Sequence, residues 1–352
     1  MNPVTHSGAR SSTAQAIQRA GLRVVAIGGG TGLSTLLRGL KRHVPSSGVV
    51  EAEAPSTYAV SDLAAVVTVT DDGGSSGRLR TNFNMLAPGD LRNCMVALSE
   101  DEHLMSRLFR HRFQSGGELG GHSFGNLFVA ALTEMTGDFG HAIKLAGEVL
   151  AMRGRIYPAT YANATLVARM GNGDVVRGET NITASKEQIA ELTLDPAVVE
   201  PLPETLAAIF EADLITLGPG SLYTSLVTNL LVQGIPEALA AAKGMRVYIA
   251  NLMTQANESL HLTASQHIER IYAHTRKPVF DYALINTAPV PQPVRERYAA
   301  EGAEVIQADV ERIEAMGIRC ITGNFAAEGD VLRHDAAAVA KTVLEIAVGK
   351  PR

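Results

Sequence analysis

The sequence lacks tryptophan altogether, has only two cysteines among 352 residues, and is only 5% aromatic. Cys94 and Cys320 stand far apart, without the paired spacing of a zinc site or a disulfide framework. This usage is typical of a reducing compartment, so we expect a cytoplasmic protein. Cys94 falls in an apolar segment with a helical pattern and is expected to be a core residue.

Long apolar runs and basic clusters are also missing. No apolar segment approaches the ~20 residues that a membrane-spanning helix needs, so no membrane span is predicted. The net charge is -5, and no Lys/Arg stripe with interleaved aromatic residues occurs, which argues against nucleic acid as a partner. Residues 1–22 are polar and lack an apolar signal core, so we expect a flexible N-terminal tail.

Strand-like and helix-like segments alternate along most of the remaining chain. Arg23–Ile27 is typical of a buried strand, and Leu33, Leu36, Leu37 and Leu40 then share one helical face. Such alternation predicts one α/β domain over residues 23–352, with a Rossmann-like, mostly parallel sheet flanked by helices. Between Tyr157 and Thr193 the period changes around the turn "GNGD", which predicts a small excursion that contains a β-hairpin.

Four of the predicted strands end in unusual loops. These loops are Gly28–Gly32, Asp71–Gly77, Gly218–Ser221 and Asn251–Gln255. In an open α/β sheet, ligands bind at the carboxyl ends of the strands, where the strand order reverses. The four loops are therefore expected to form one ligand site.

The first loop, in "VVAIGGGTGLSTLLRGL" from Val24 to Leu40, has the order strand, glycines, helix. Glycines let the backbone approach a phosphate, and the helix N-terminus supplies N–H groups. Leu33 stands where a strict dinucleotide fingerprint has its last glycine, and no Gly-Lys-Ser/Thr of a P-loop follows. Diphosphate binding is therefore favoured over a simple tight turn, and neither NAD nor flavin is expected as a tightly bound cofactor.

The second loop, "TVTDDGGSSGRLR", places Asp71 and Asp72 directly before flexible backbone. One carboxylate is available to a metal ion or a substrate hydroxyl while the other caps the loop, which makes both candidate catalytic residues and Asp71 a candidate Mg²⁺ ligand. Ser75 and the amides of Gly73 and Gly74 are candidates for an anion nest. Ordinary turn chemistry is the alternative explanation of this string. No Ser/His/Asp arrangement with a nucleophile elbow accompanies it.

Six collinear segments together resemble the gluconeogenesis factor family, the YvcK/CofD-like proteins. The segments are "GGGTGLSTLLRGLK", "TVTDDGGSSGRLR", "APGDLRNCMVAL", "GHSFGNLFVAALTEMTGDF", "ADLITLGPGSLYTSLVTNLLV" and "NLMTQANES...TASQH". The resemblance runs from about Arg23 to Ala347. It implies a CofD-like fold, self-association and protein effectors.

The resemblance implies two alternative functions. One branch of the superfamily binds UDP-sugars such as UDP-N-acetylglucosamine and is required for cell shape and for growth on gluconeogenic carbon sources. The other, the 2-phospho-L-lactate transferases, moves a phospholactate group from a guanosine-diphospho donor to Fo with Mg²⁺ in coenzyme F420 synthesis. The spacing here is closer to the first branch, and whether this chain is an enzyme stays open.

Carried over to this sequence, the resemblance implies a set of ligand-binding residues. They are Gly28, Gly29, Gly30, Thr31, Gly32, Asn126, Gly218, Pro219, Gly220, Ser221, Asn251, Thr254, Gln255 and Arg333. The chain departs from the family pattern downstream of Gln255, where Ala256, Asn257 and Ser259 replace Pro, Gly and Thr. Leu262 also stands where many members have a tyrosine near the ligand.

Overall fold

A computed structural model describes residues 21–45, 58–100, 104–114, 117–185, 187–256, 258–327, 329 and 331–349. Residues 1–20 of the predicted tail, and Asn257, lie outside the described residues. The strands are β1 (Leu22–Gly28), β2 (Val60–Val67), β3 (Arg155–Pro158), β4 (Thr165–Met170), β5 (Val175–Arg177), β6 (Ile189–Asp195), β7 (Leu214–Leu217), β8 (Met245–Ile249), β9 (Tyr282–Asn286), β10 (Arg319–Gly323), β11 (Ala326–Ala327) and β12 (Arg333–His334).

Helices follow most of these strands. They are α1 (Gly30–Lys41), α2 (Gly74–Phe83), α3 (Gly89–Leu98), α4 (Leu104–Arg110), α5 (Phe124–Thr136), α6 (Phe139–Val149), α7 (Glu179–Ala184), α8 (Pro203–Glu211), α9 (Thr228–Leu230), α10 (Ile235–Ala241), α11 (Ala264–Thr275), α12 (Gln292–Ala300), α13 (Val310–Ala315) and α14 (Ala336–Ala347). A 3₁₀ turn spans Gly117–Leu119, and a π-helical segment, Leu222–Val227, leads directly into α9.

Within the described residues the main sheet has seven strands, all parallel, in the order β10-β9-β8-β7-β1-β2-β3. The chain builds β1 to β3 outward on one side and β7 to β10 outward on the other. The strand order therefore reverses between β1 and β7, which makes the carboxyl edge there the expected ligand crevice. The predicted Rossmann-like fold class is confirmed.

The central strand β1 is apolar on both faces because helices cover both sides of the sheet. Val24 and Ala26 pack into one core cluster, while Val25 and Ile27 pack into the other. Alternate side chains of the strand point to opposite faces of the sheet, and both faces are buried. The segment is therefore a continuous apolar run in the sequence. Cys94 is fully buried in the first cluster, as predicted.

The excursion forms a three-stranded antiparallel sheet in the order β5-β4-β6. The hairpin around "GNGD" is present, with Val167 opposite Arg177. The segment after it differs from the predicted alternation, because residues 179–184 form the short helix α7. Of the described residues, no helix is long and apolar enough to cross a membrane.

Candidate functional site

The loops after β1 and β7 touch each other at the point where the strand order reverses. A Cβ added at Gly32 would lie 2.3 Å from the Pro219 carbonyl oxygen. Gly218 has φ +90°, a conformation that favours glycine. Asn229, fully buried, donates from Nδ2 to the Gly28 carbonyl at 3.0 Å. The first and third predicted loops are thus brought together.

The loop after β8 is joined to the same place. Asn251 accepts from the Gly220 N–H at 3.1 Å and donates from Nδ2 to the Gly220 carbonyl at 2.7 Å. Gln255 donates from Nε2 to the Ser221 hydroxyl at 2.9 Å. Thr254 is buried and pairs with the backbone of Glu304. The hydrogen bonds of Asn251 and Gln255 therefore hold the third and fourth predicted loops together as one unit.

Two of the departures downstream of Gln255, at Ser259 and Leu262, are compatible with this unit. Ser259, where the resemblance implies a threonine, supplies a hydroxyl, which accepts from the Gln255 N–H at 3.1 Å. Leu262 is partly buried and packs against the second core cluster. The position where the resemblance implies a tyrosine is therefore filled here by a packing residue.

Glu258 is a site residue that sequence reasoning missed. Its buried carboxylate accepts from the N–H groups of Tyr223 and Thr224 at 3.0 and 3.4 Å, and from the Thr224 hydroxyl at 2.8 Å. Burial raises the pKa of Glu258, and these hydrogen bonds oppose the rise. The available signal was a single acidic residue in the otherwise uncharged stretch Asn251–Leu260.

Asp71 and Asp72, at the end of β2, have different surroundings. Asp72 accepts from the N–H and hydroxyl of Thr180 in α7. Asp71 accepts from the Gly73 N–H at 2.9 Å through Oδ1, while its Oδ2 would lie 3.0 Å from a Cβ added at Gly89. Asp72 is therefore engaged with the excursion, and Asp71 lies beside the start of α3.

Asp90 and Glu179 extend this acidic group, and sequence reasoning named neither as a site residue. Asp90 Oδ2 would lie 2.7 Å from a Cβ added at Gly29, so its carboxyl lies against the first glycine loop. Desolvation raises the pKa of Asp90 to about 6, the Asp71 carboxylate adds to the rise, and a hydrogen bond from Gly30 opposes it. Desolvation, with Asp71 and Asp90 next in effect, raises the pKa of Glu179 to about 9.

Ser75 and Asn126 meet in a buried network next to this group. Ser75 Oγ is 2.9 Å from His122 Nδ1 and accepts from Asn126 Nδ2 at 3.1 Å. Burial lowers the pKa of His122, and Arg78 and Arg112 lower it further, so the imidazole is neutral at pH 7. The Asn126 Oδ1 atom is buried and has no hydrogen-bond partner in the structure.

The remaining predicted residues lie around the edge of the site. Thr31 is exposed in the first turn of α1, and Gly73 and Gly74 precede and begin α2. Arg333 is exposed in β12, where its neighbour His334 is 3.1 Å from the Ala250 carbonyl at the end of β8. A ligand contact by Arg333 stays a prediction.

The carboxylates of this acidic group are the candidate ligands for a Mg²⁺ ion. Within the described part of the chain, no group of three or more His, Cys, Asp or Glu side chains could hold a metal ion alone. Mg²⁺, however, usually takes one or two protein carboxylates together with water and ligand phosphates. Asp71, beside the start of α3, and Asp90, against the first glycine loop, match that small protein contribution.

A parallel sheet whose glycine-rich loops meet where the strand order reverses defines a Rossmann-like α/β protein with its candidate ligand site at the carboxyl edge. The family model for "2-phospho-L-lactate transferase CofD" matches residues 24–326. The gluconeogenesis factor of Bacillus subtilis (strain 168) is 43% identical over 325 residues, which cover 92% of this chain and 98% of that protein. The chain belongs to the CofD family, in the group of the gluconeogenesis factors.

Two further comparisons agree with that placement. The gluconeogenesis factor of Halalkalibacterium halodurans is 44% identical over 330 residues, covering 94% of this chain and 97% of that protein. The crystal structure of a UPF0052 family member from Bacillus halodurans, at 2.60 Å resolution, has a TM-score of 0.85 and 44% identity, covering 92% of this chain and 99% of that chain. The resemblance found in the motifs is therefore confirmed over most of the sequence.

Proposed function

We propose that this protein is a cytoplasmic regulatory protein that binds a nucleotide-sugar of the UDP-N-acetylglucosamine type between the ends of β1 and β7. Its regulatory role would be the one implied by the resemblance, in growth on gluconeogenic carbon sources and in cell shape. Self-association and protein effectors belong to the same proposal. The relatives named gluconeogenesis factors support the regulatory part.

One structural observation carries the ligand class. Helix α1 begins two residues after the end of β1, and α2 begins seven residues after the end of the neighbouring strand β2. Their N-cap residues are Gly29 and Gly73, which have no side chain to cap the helix. First-turn N–H groups at two adjacent helix ends attract negative charge. We therefore assign one phosphate group of a diphosphate to each of these two helix ends.

At the start of α1 the Gly30 N–H donates to Asp90, but the third helix at this edge commits two of its first N–H groups to one buried carboxylate, which limits where the diphosphate binds. The first N–H groups of the π-helical segment Leu222–Val227 already donate to the Glu258 carboxylate. The loop from Gly218 to Ser221 is therefore assigned to an uncharged part of the ligand. Buried oxygens without a partner, Asn126 Oδ1 and Gln255 Oε1, are available to accept from ligand N–H or O–H groups.

The carboxylates of Asp71 and Asp90 repel a diphosphate, so binding at this edge needs a compensating positive charge. These two side chains would hold a Mg²⁺ ion together with ligand phosphate oxygens, and the ion would supply that charge. Of the two neighbouring aspartates we assign this role to Asp71, because the Asp72 carboxylate already accepts two hydrogen bonds from Thr180.

Isothermal titration calorimetry tests the proposal. The full chain is titrated with UDP-N-acetylglucosamine, UDP-glucose, UDP and GDP, each with and without Mg²⁺. We expect saturable binding of a UDP-sugar that is stronger with Mg²⁺. An absence of heat with every UDP compound, from protein with a sharp thermal unfolding transition, would overturn the proposal.

A second candidate is a transferase of the phospholactate type, and the matched family model favours it. The acidic group also fits, since burial and like charge raise the pKa of Asp90 to about 6 and that of Glu179 to about 9, and such shifted values are common at active sites. The test is product formation from a guanosine-diphospho-lactate donor and Fo with Mg²⁺. Activity lost in Asp71→Asn with an unchanged unfolding temperature would support this candidate, and an inert wild-type protein would reject it.

A further inference from the structure

A groove of about 680 Å³ lies between α2 and the start of the small antiparallel sheet. It is separate from the point where the loops after β1 and β7 touch, yet Asp72 and Gly74 line it. Asp72 belongs to the loop after β2 and Gly74 begins α2, so the groove reaches one of the two helix ends proposed to bind the diphosphate. Gly74 faces open space, since a Cβ there would meet no atom within 4 Å.

The groove is lined by hydrogen-bonding groups. The side chains concerned are those of Arg78, Thr81, Asn82, Asn84, Asn163 and Thr165. Among the described residues that line it, none has an aliphatic or aromatic side chain. A planar base or an acyl chain would find no aliphatic or aromatic side chain to pack against here, whereas a ligand with several hydroxyl groups would find amides, hydroxyls and guanidinium groups.

The base of the groove is ordered by its own hydrogen bonds. Arg80 donates to the Thr70 carbonyl at 2.7 Å, to Asn163 Oδ1 at 2.6 Å and to the Ala164 carbonyl at 2.9 Å. These bonds join the end of β2 to the excursion. Because Asn163 Oδ1 accepts from Arg80, the Asn163 amide is oriented and its NH₂ group remains a donor. The groove is therefore preorganised, which reduces the cost of binding.

We propose that this groove binds the sugar of the nucleotide-sugar whose diphosphate lies at the N-termini of α1 and α2. The inference rests on the proposed function and adds the position of the sugar. The excursion then has a role in specificity, because it supplies one wall of the sugar site. Asp72 links the two parts, since it lines the groove and is bound by Thr180 of α7.

The test compares a nucleotide with its sugar derivative. Asn82→Ala and Thr165→Val are combined, since Asn82 is exposed on a helix, where alanine is well tolerated, and valine has the shape of threonine in a strand. We expect affinity for UDP-N-acetylglucosamine to fall about tenfold while affinity for UDP changes by less than about twofold. Gln292→Ala, on the exposed side of α12, is the matched control and should change neither affinity.

Three outcomes overturn the inference. Equal losses for UDP and the nucleotide-sugar would show that the variant weakens the diphosphate site, and unchanged affinities would show that the sugar lies elsewhere. Either result leaves the proposed function standing. A wild-type protein that binds neither ligand would overturn the proposed function and this inference together. Thermal unfolding of each variant checks that the fold is retained.

Discussion

Thr180 binds the Asp72 carboxylate with both its backbone N–H, at 2.8 Å, and its hydroxyl, at 2.7 Å, across 108 residues of sequence. Gly178 leaves room for this contact, since a Cβ there would lie 2.4 Å from Asp72 Oδ2. The second aspartate of the pair therefore attaches the excursion to the end of β2. The first aspartate is left for the candidate ligand site.

Because Asp72 is structural and Asp71 is left for the candidate site, variants of these two neighbouring residues should have different effects. Asp72→Ala removes the acceptor of two hydrogen bonds and should lower the free energy of unfolding by about 1–3 kcal/mol, with faster amide exchange in α7. Asp71→Asn should leave the unfolding temperature nearly unchanged and weaken the Mg²⁺ dependence of ligand binding. Thermal unfolding, hydrogen exchange and calorimetry separate the two. Equal destabilisation by both variants would contradict this difference in roles.

Gly32→Ala tests the contact between the first and third loops. The added methyl would lie 2.3 Å from the carbonyl oxygen and 2.7 Å from the carbonyl carbon of Pro219. Both are backbone atoms, so the clash can be relieved only by moving the main chain. We expect a loss of about 1–3 kcal/mol in unfolding free energy, measured with urea, together with loss of nucleotide binding. Gly171→Ala is the control, since its nearest atom would lie at an ordinary 3.6 Å.

The sequence was most informative where one element carried its own pattern. The strand predicted at Arg23–Ile27 is Leu22–Gly28, and the helical face predicted from Leu33 to Leu40 lies in α1, with all four leucines buried. The strand β10 was missed because, at the sheet edge, its residues are only partly buried and give no apolar run. The helix α7 was missed because six residues leave little helical period to detect.

In the candidate site, too, the features predicted from the sequence were those that a single segment carries by itself. Glycines and paired acids mark a loop by themselves, so the four loops were predicted without tertiary information. Asp90 and Glu258 matter because of what surrounds them, namely Gly29 for one and the N–H groups of Tyr223 and Thr224 for the other. Gly29 is 61 residues from Asp90 in the sequence, and Tyr223 is 35 residues from Glu258. Only the fold brings these residues together.

We expect Glu258 to contribute mainly to the stability of the fold and only secondarily to ligand binding. Glu258→Ala leaves the buried N–H groups of Tyr223 and Thr224 without their acceptor, so the free energy of unfolding should fall by about 2–4 kcal/mol in urea denaturation. Glu134→Ala, an exposed acid on α5, is the matched control and should stay within about 0.5 kcal/mol of wild type. A Glu258→Ala protein as stable as the control would show that water replaces the carboxylate.

Asp90 makes stability depend on pH in a direction opposite to that of a salt-bridged aspartate. Its pKa rises from the ordinary 3.8 to about 6 on folding, so between these values the folded chain binds more protons than the unfolded chain. The contribution of the neutral carboxyl is present in full below pH 4 and is lost as pH rises through 6. At pH 8 the folded protein bears the cost of a desolvated carboxylate beside Asp71.

Asp90→Asn removes that cost while it keeps an oxygen able to accept from Gly30. We expect its unfolding temperature to exceed that of wild type by roughly 2–4 °C at pH 8 and to equal it near pH 4. Differential scanning calorimetry across this range gives the profile, with Asp174→Asn in the exposed hairpin turn as control. The same variant should bind the nucleotide-sugar with weaker dependence on Mg²⁺, because one of two carboxylates is gone. A constant difference at all pH values would show that packing, and not ionisation of Asp90, separates the two proteins.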